Sequence, residues 1–237
     1  MLRRLDNNNM GRSNLGWLRS LFHFSFAEYR NPDNINFGQL RVINDDLVEA
    51  GTGFGTHPHR DMEIVSYVVN GQLSHKDSMG HERKLSRGSV QYMSAGTGIQ
   101  HSEYNNGEEL LRFLQIWIFP DQVNLIPQYG DMEFEPEDRH NKWLHMVSGI
   151  LGDAPIRVNQ DVNIYVTEID AGKEIEFTIG EDRQAYLVQI EGNSVINGVE
   201  MNTRDGLEAV EESLDIEAVE NSHFLVIEMK KDLERLH

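Results

Sequence analysis

The sequence predicts an all-β protein made of two antiparallel barrels or sandwiches, and three observations carry that prediction. Between about Gln39 and Phe119, short apolar or alternating runs are broken by Gly, Asn, Asp or Ser every 8 to 12 residues, the rhythm of half-buried strands joined by tight turns. The same rhythm resumes beyond a segment rich in Pro and acidic residues over 123–138. Asn70-Gly71 is a turn signal and Asn197-Gly198 a strong type I′ hairpin signal, both supplying residues that tolerate a left-handed backbone.

The elements follow in chain order. Met1-Leu-Arg-Arg-Leu-Asp-Asn-Asn-Asn9 turns polar after five residues, with neither an apolar h-region nor a small-residue cleavage site, so an unsecreted, cytoplasmic chain is expected. Strands are expected at Leu40–Ile43, Met62–Val69, Gln72–His75, Val90–Met93 and Leu111–Phe119, with turns at 70–71, 77–80 and 86–89. The run Leu110–Phe119 is far too short for a membrane span and contains Arg112 and Gln115, so it reads as a core strand. Pro127, Gly130, Pro136 and their acidic neighbours are not expected to continue a buried ladder, and the linker is placed over 123–138. Beyond it, strands are expected at Ile164–Ile169, Ile175–Ile179, Tyr186–Ile190, Ser194–Ile196, Val199–Met201 and Phe224–Met229. The closing stretch Lys230–Leu236 spaces Leu233 and Leu236 as a short helix would. The expected division is a first domain over 1–122, a linker over 123–138 and a second domain over 139–237, with a tandem duplication suggested by the similar length and strand spacing of the two halves.

Composition narrows the chemistry. At 237 residues and 39% apolar content, the chain can fill one large or two small cores. Its formal charge of -18, from 21 basic and 39 acidic residues, argues against direct contact with nucleic-acid phosphates or anionic lipid. The absence of cysteine removes disulfides and thiolate ligands together and fits a reducing compartment. A metal held here must use nitrogen and oxygen donors.

Two pairs of such donors stand out: His57 and His59 in Gly53-Phe-Gly-Thr-His-Pro-His-Arg-Asp61, and His101 and Glu103 in Ser94-Ala-Gly-Thr-Gly-Ile-Gln-His-Ser-Glu103. Residues i and i+2 of a strand share a face, so two such pairs on neighbouring strands can direct three imidazoles and one carboxylate at one point. A lone His-x-His is usually a surface or hydrogen-bonded feature. Two pairs, each following a glycine-rich stretch able to turn sharply, favour a divalent metal, and the donors suit Fe(II), Mn(II), Ni(II), Cu(II), Co(II) or Zn(II). On a six-coordinate ion two positions would remain open, the mark of a catalytic site.

Other residues are weighed against this set. Glu63 is the rival carboxylate, because an unbroken strand from His57 would put residues 57, 59, 61 and 63 on one face; Glu103 ranks ahead of it, lying one step from a ligand histidine. His75 and Asp77 read as surface groups beside a hairpin, with lining of the pocket entrance as the lesser reading. His23 reads as a satisfied histidine in an aromatic cluster with Phe22, Phe24 and Phe26. Met93, Gln115 and Trp117 could line a cavity but read first as core. Gly51, Gly53 and Gly55 lack the following helix that a phosphate loop needs. His140, His145, His223 and His237 are scattered, so the second half carries no comparable ligand set.

The first half resembles the pirin family of bicupins, which includes bacterial pirin-like quercetin 2,3-dioxygenases. The matching residues include Gly16-Trp17, His23-Phe-Ser-Phe-Ala27, Leu40-Arg-Val-Ile-Asn-Asp-Asp46, the His57 segment through Glu63, His75-Lys-Asp-Ser-Met-Gly80, Met93-Ser-Ala-Gly-Thr-Gly98 and His101-Ser-Glu103. The second half matches only in length, strand rhythm and loss of ligands. The resemblance implies two cupin barrels facing each other with one metal in the first, Fe(II) in first place and Zn, Ni, Cu, Mn or Co as alternatives. Its ligands would be His57, His59, His101 and Glu103, with Glu103, or a metal-bound water it orients, as general base. It implies a small aromatic substrate such as quercetin together with O2, or alternatively a metal-dependent transcriptional coregulator or redox sensor with a protein partner.

Overall fold

The computed structural model describes residues 1–232, and these form four sheets. Twelve strands precede the single helical turn of the middle segment: β1 (Leu2–Leu5), β2 (Gly11–Asn14), β3 (Leu18–Phe22), β4 (Leu40–Val48), β5 (Thr52–His59), β6 (Glu63–Asn70), β7 (Leu73–Asp77), β8 (Glu82–Leu85), β9 (Val90–Ser94), β10 (Ile99–Asn105), β11 (Leu111–Ile118) and β12 (Gln128–Met132). After the turn α1 (Pro136–Arg139) come β13 (Leu144–Gly149), β14 (Ile156–Val158), β15 (Val162–Ile169), β16 (Glu174–Phe177), β17 (Arg183–Glu191), β18 (Ser194–Ile196), β19 (Val199–Met201), β20 (Gly206–Val210), β21 (Leu214–Ala218) and β22 (Ser222–Lys230). Among the described residues no helix is long and apolar enough to cross a membrane.

Each half pairs a seven-stranded sheet with a four-stranded one. The first half has the orders β12-β9-β6-β11-β4-β3-β2 and β5-β10-β7-β8; the second has β1-β20-β17-β22-β15-β13-β14 and β16-β21-β18-β19. The two orders correspond strand for strand in topology, apart from the outer edges. Pairing is antiparallel throughout except between β13 and β14. The all-β, two-domain cupin architecture expected from the sequence is therefore present, as open sandwiches of unequal sheets.

The turn at Asn70-Gly71 carries the chain from the large sheet to the small one, with Gly71 at a φ of 77°, and the hairpin signal at Asn197-Gly198 holds. Asn197 and Gly198 both have positive φ, 47° and 80°, and join β18 to β19; type I′ geometry matches the twist of the strands it connects. The reading of 123–138 needs correction. Gln128–Met132 forms β12, an edge strand paired to β9, and its partly exposed residues are tolerated because an edge has one open side. At the opposite edge of the molecule, β1 pairs with β20. Strand membership therefore crosses the boundary expected at residue 122. The expected terminal helix over 230–236 begins in the last strand at Lys230, and its residues from 233 onward lie outside the described residues.

Strand alternation divides the side chains of the large sheets between two cores. Val65, Tyr67 and Val69 of β6 and Leu114 and Ile116 of β11 pack with Ile164, Val188, Leu225 and Ile227 of the other half, so the two large sheets face each other across an apolar interface. Buried polar anchors cross the same boundary. Asp45 accepts from Arg112 Nε at 2.9 Å and from Arg204 Nε at 2.7 Å, and the paired guanidinium groups hold its carboxyl below the usual range against the opposing effect of burial. The opposite faces of the large sheets look into their own sandwiches. In the second half that interior is one apolar cluster built around Leu187, Leu207, Leu214, Ile216 and Phe224. In the first it is split into a cluster at Leu73, Leu111 and Phe113 and another at Ile64, Met93 and Ile99. The candidate site fills the gap between them.

Candidate metal centre

The two ligand-bearing segments are neighbouring strands, as the spacing required. β5 and β10 pair antiparallel with His101 directly opposite His57 and Ile99 opposite His59. The register then slips, so that Glu103 stands opposite Phe54. Such a bulge adds one residue to β5 and re-aims the side chains around it. Gly53 makes the close approach possible: a Cβ there would strike the Glu103 carbonyl oxygen and the Tyr104 backbone.

Three imidazoles converge. Ring centroids lie 4.5 Å apart for His57 and His101, 4.8 Å for His57 and His59, and 4.9 Å for His59 and His101. One donor nitrogen from each falls within 4.8 Å of the other two, a spread a single cation can bridge. His57 Nδ1 donates to the Gly55 carbonyl at 2.8 Å, which leaves the Nε2 lone pair for a ligand. His59 stands edge-on against Trp117, with centroids 5.0 Å apart. His101 is 1% exposed, and neither of its ring nitrogens has a hydrogen-bond partner. A buried polar group normally finds a partner, so this double orphan fits a group that completes it, and the donor set suits a divalent transition metal. Burial pushes the His59 imidazole down to about 4, aided by His57, and pushes His101 down to about 2, aided by His57, His59 and His75. At neutral pH both rings are uncharged and carry free lone pairs.

Glu103 lies deeper. It is 2% exposed, and burial lifts its carboxyl to about 7 despite stabilising contacts from Ser66 and Gln115. Gln115 Nε2 donates to Oε2 at 2.8 Å, while the Ser66 hydroxyl sits 3.1 Å from Oε1 and 2.9 Å from Gln115 Oε1. Among the described residues Glu103 belongs to a second metal-capable group, with His75 and His101, rather than to the one formed by the three histidines above. His101 is common to both.

The rival carboxylate is elsewhere. β5 ends at His59, Asp61 takes a left-handed φ of 47°, and β6 starts at Glu63, so the alternation counted from His57 does not continue. Glu63 is fully buried and accepts hydrogen bonds from Tyr92 Oη at 2.5 Å, Ser94 Oγ at 2.6 Å and the Asn159 amide at 2.8 Å. It is tied to the domain interface.

The surface reading of His75 and Asp77 is overturned: both side chains are inaccessible to solvent. β7 pairs with β10, placing His75 opposite Glu103 and Asp77 opposite His101, on the inward side of the small sheet. Spacing alone could not identify that side, because β7 alternates equally well in either orientation. His23 is buried as expected, but its company differs. Its Nδ1 lies 2.9 Å from Tyr186 Oη of the second half, its Nε2 has no partner, and burial pushes it down to about 4. Gln115 and Trp117 line the site, whereas Met93 is core. Ser66 went unnoticed in the sequence; the signal available was one serine at an inward position between Ile64 and Val68. None of His140, His145 and His223 joins a metal-capable group, and His237 lies outside the described residues.

The Pirin family model matches residues 5–118, and a model described as the quercetinase C-terminal cupin domain matches residues 145–229. A protein of Escherichia coli strain K12 named quercetin 2,3-dioxygenase is 41% identical over 224 residues, covering 94% of this chain and 96% of its own length. A pirin-like protein of Caulobacter vibrioides is 40% identical over 232 residues, covering 96% and 99% respectively. The crystal structure of a bacterial pirin from Escherichia coli in complex with nickel(II) is 38% identical, with a TM-score of 0.91 over 98% of this chain and 100% of that one. With both halves matched and the similarity running nearly end to end, the chain belongs to the pirin family.

Proposed function

We propose that this protein is a metal-dependent dioxygenase that opens a flavonol such as quercetin with O2 and releases carbon monoxide. In this reading His57, His59, His101 and Glu103 hold one divalent cation, Fe(II) in first place. The observation that carries it is His101, buried among imidazoles with both nitrogens unpartnered. The relatives named quercetin 2,3-dioxygenase at about 40% identity supply the substrate class.

A bound divalent cation would supply positive charge that stabilises the anion of the flavonol 3-hydroxyl. The protein supplies the rest. Glu103 takes the hydroxyl proton on a carboxylate oxygen, while Ser66 and Gln115 fix the plane of that carboxylate. His57 and His59 are only partly buried, so the aromatic substrate approaches from their side. Trp117, edge-on to both His59 and Phe26, forms an apolar wall there.

The test is incubation of iron-, nickel- or copper-loaded protein with quercetin in air, following flavonol absorbance and carbon monoxide against the free metal. Loss of absorbance with release of carbon monoxide above that control is expected. If neither exceeds it, this substrate assignment is wrong.

A further inference from the structure

The pocket contains one donor that the ligand set above leaves unused. His75 is 1% exposed, its Nδ1 has no hydrogen-bond partner, and its Nε2 lies 3.2 Å from Asp77 Oδ2. Asp77 is already committed as an acceptor. Its Oδ1 receives the Met79 amide at 2.9 Å and the His81 amide at 3.1 Å, and its Oδ2 lies 2.9 Å from His81 Nδ1. A carboxylate in that setting accepts a hydrogen bond from His75 Nε2–H and leaves Nδ1 with a lone pair, the arrangement by which outer carboxylates orient metal-binding histidines. The ring is fixed on its face as well, stacked on Tyr129 at 5.0 Å and 24°. Donor atoms of His75, His101 and Glu103 lie within 4.8 Å of one another, and all three residues are buried.

We infer that His75, His101 and Glu103 form a second, inner position for a divalent transition metal, overlapping the outer position proposed above (His57, His59, His101 and Glu103) through His101 and Glu103. The inference rests on the reading of this pocket as a metal centre and adds a place within it. Because the two positions share an imidazole and a carboxylate, a single ion occupies one or the other. The outer position, with its half-exposed histidines, is open to exchange and substrate. The inner one is closed to solvent and retains the ion between turnovers.

The test uses His57→Ala/His59→Ala, which removes the outer pair and leaves the inner three donors intact, with far-UV circular dichroism confirming the fold. Calorimetric titration with Ni(II) is expected to give one ion per chain, and adding His75→Phe, which keeps a ring on Tyr129, is expected to weaken binding by ~10-fold or more. Independently, pulsed EPR of the double variant with less than one equivalent of Cu(II) is expected to show two coordinated imidazoles. Loss of metal from the double variant, equal affinity with and without His75, or a single coordinated imidazole would overturn the inner position. Wild-type metal content and flavonol turnover are measured beside it, so the inner position can fail while the proposed activity stands.

Discussion

Across the inner face of the first large sheet, Asn44, Gln115, Ser66 and Gln91 lie side by side on β4, β11, β6 and β9. The matching strands of the second half, β15, β22, β17 and β20, carry Tyr165, Val226, Leu187 and Leu207 in such a row. The small sheets differ in the same way. His57 faces His101 across β5 and β10, whereas Ile175 faces Ile216 and Phe177 faces Leu214 across β16 and β21. One strand order thus encloses either a continuous apolar core or a polar layer between two smaller cores. An apolar interior stabilises by removing surface from water. A polar one must find partners for each group, and the first half leaves His101, Gln91 and Asn44 with buried atoms unpartnered. The second half holds by packing; the first keeps buried donors without partners.

The sharpest break of that contrast is His101→Ala, which removes the donor common to both metal-capable groups. It is expected to abolish stoichiometric divalent-metal binding, measured by elemental analysis, along with flavonol turnover. Full metal content in this variant would place the ion elsewhere. In the second half, Ile216→Ala should cost about 2–5 kcal/mol in chemical denaturation, as for other buried aliphatic truncations, and leave metal content unchanged. A fall in metal content there would mean the two interiors are coupled.

A smaller effect is expected from Gln115→Leu, which strips the donor from Glu103 Oε2. Metal affinity should fall roughly 10- to 100-fold by titration calorimetry, with little change in fold. The mildest test concerns Asp46, buried in the same interior and pushed up to about 7 by burial, with Asp45 adding to the rise and Ser20 opposing it. Between the ordinary value of 3.8 and about 7 the folded metal-free protein holds a proton that the unfolded chain has released. The contribution of this group to stability therefore falls as pH rises through that window. Asp46→Asn should raise Tm by a few degrees near pH 8 and progressively less toward acid; a gain independent of pH would assign the effect to packing.

Much of the plan was legible in the chain. Asn197-Gly198 marked a hairpin between its correct strands, and His57, His59 and His101 met because period-two spacing put each pair on one face. Glu63 stayed a second-ranked rival to Glu103 because the count from His57 ran through Asp61, whose left-handed backbone resets the alternation. Gln128–Met132 escaped notice because an edge strand needs no apolar run to be hydrogen-bonded on one side. His75 was misread because the alternation in Leu73–Asp77 looks the same whether its polar side faces solvent or the interior.

By itself, then, the sequence determined the all-β class, the two-domain division and the nitrogen-rich chemistry of the first half, since alternation, turn residues and the absence of cysteine act locally or through composition. Only the tertiary structure decided that Glu63 serves the domain interface, that Glu103 sits with Ser66 and Gln115, and that His75 turns inward beside His101. Those outcomes depend on register between strands remote in the chain. A repeat of two says which side chains share a face, and neighbouring strands decide what that face meets.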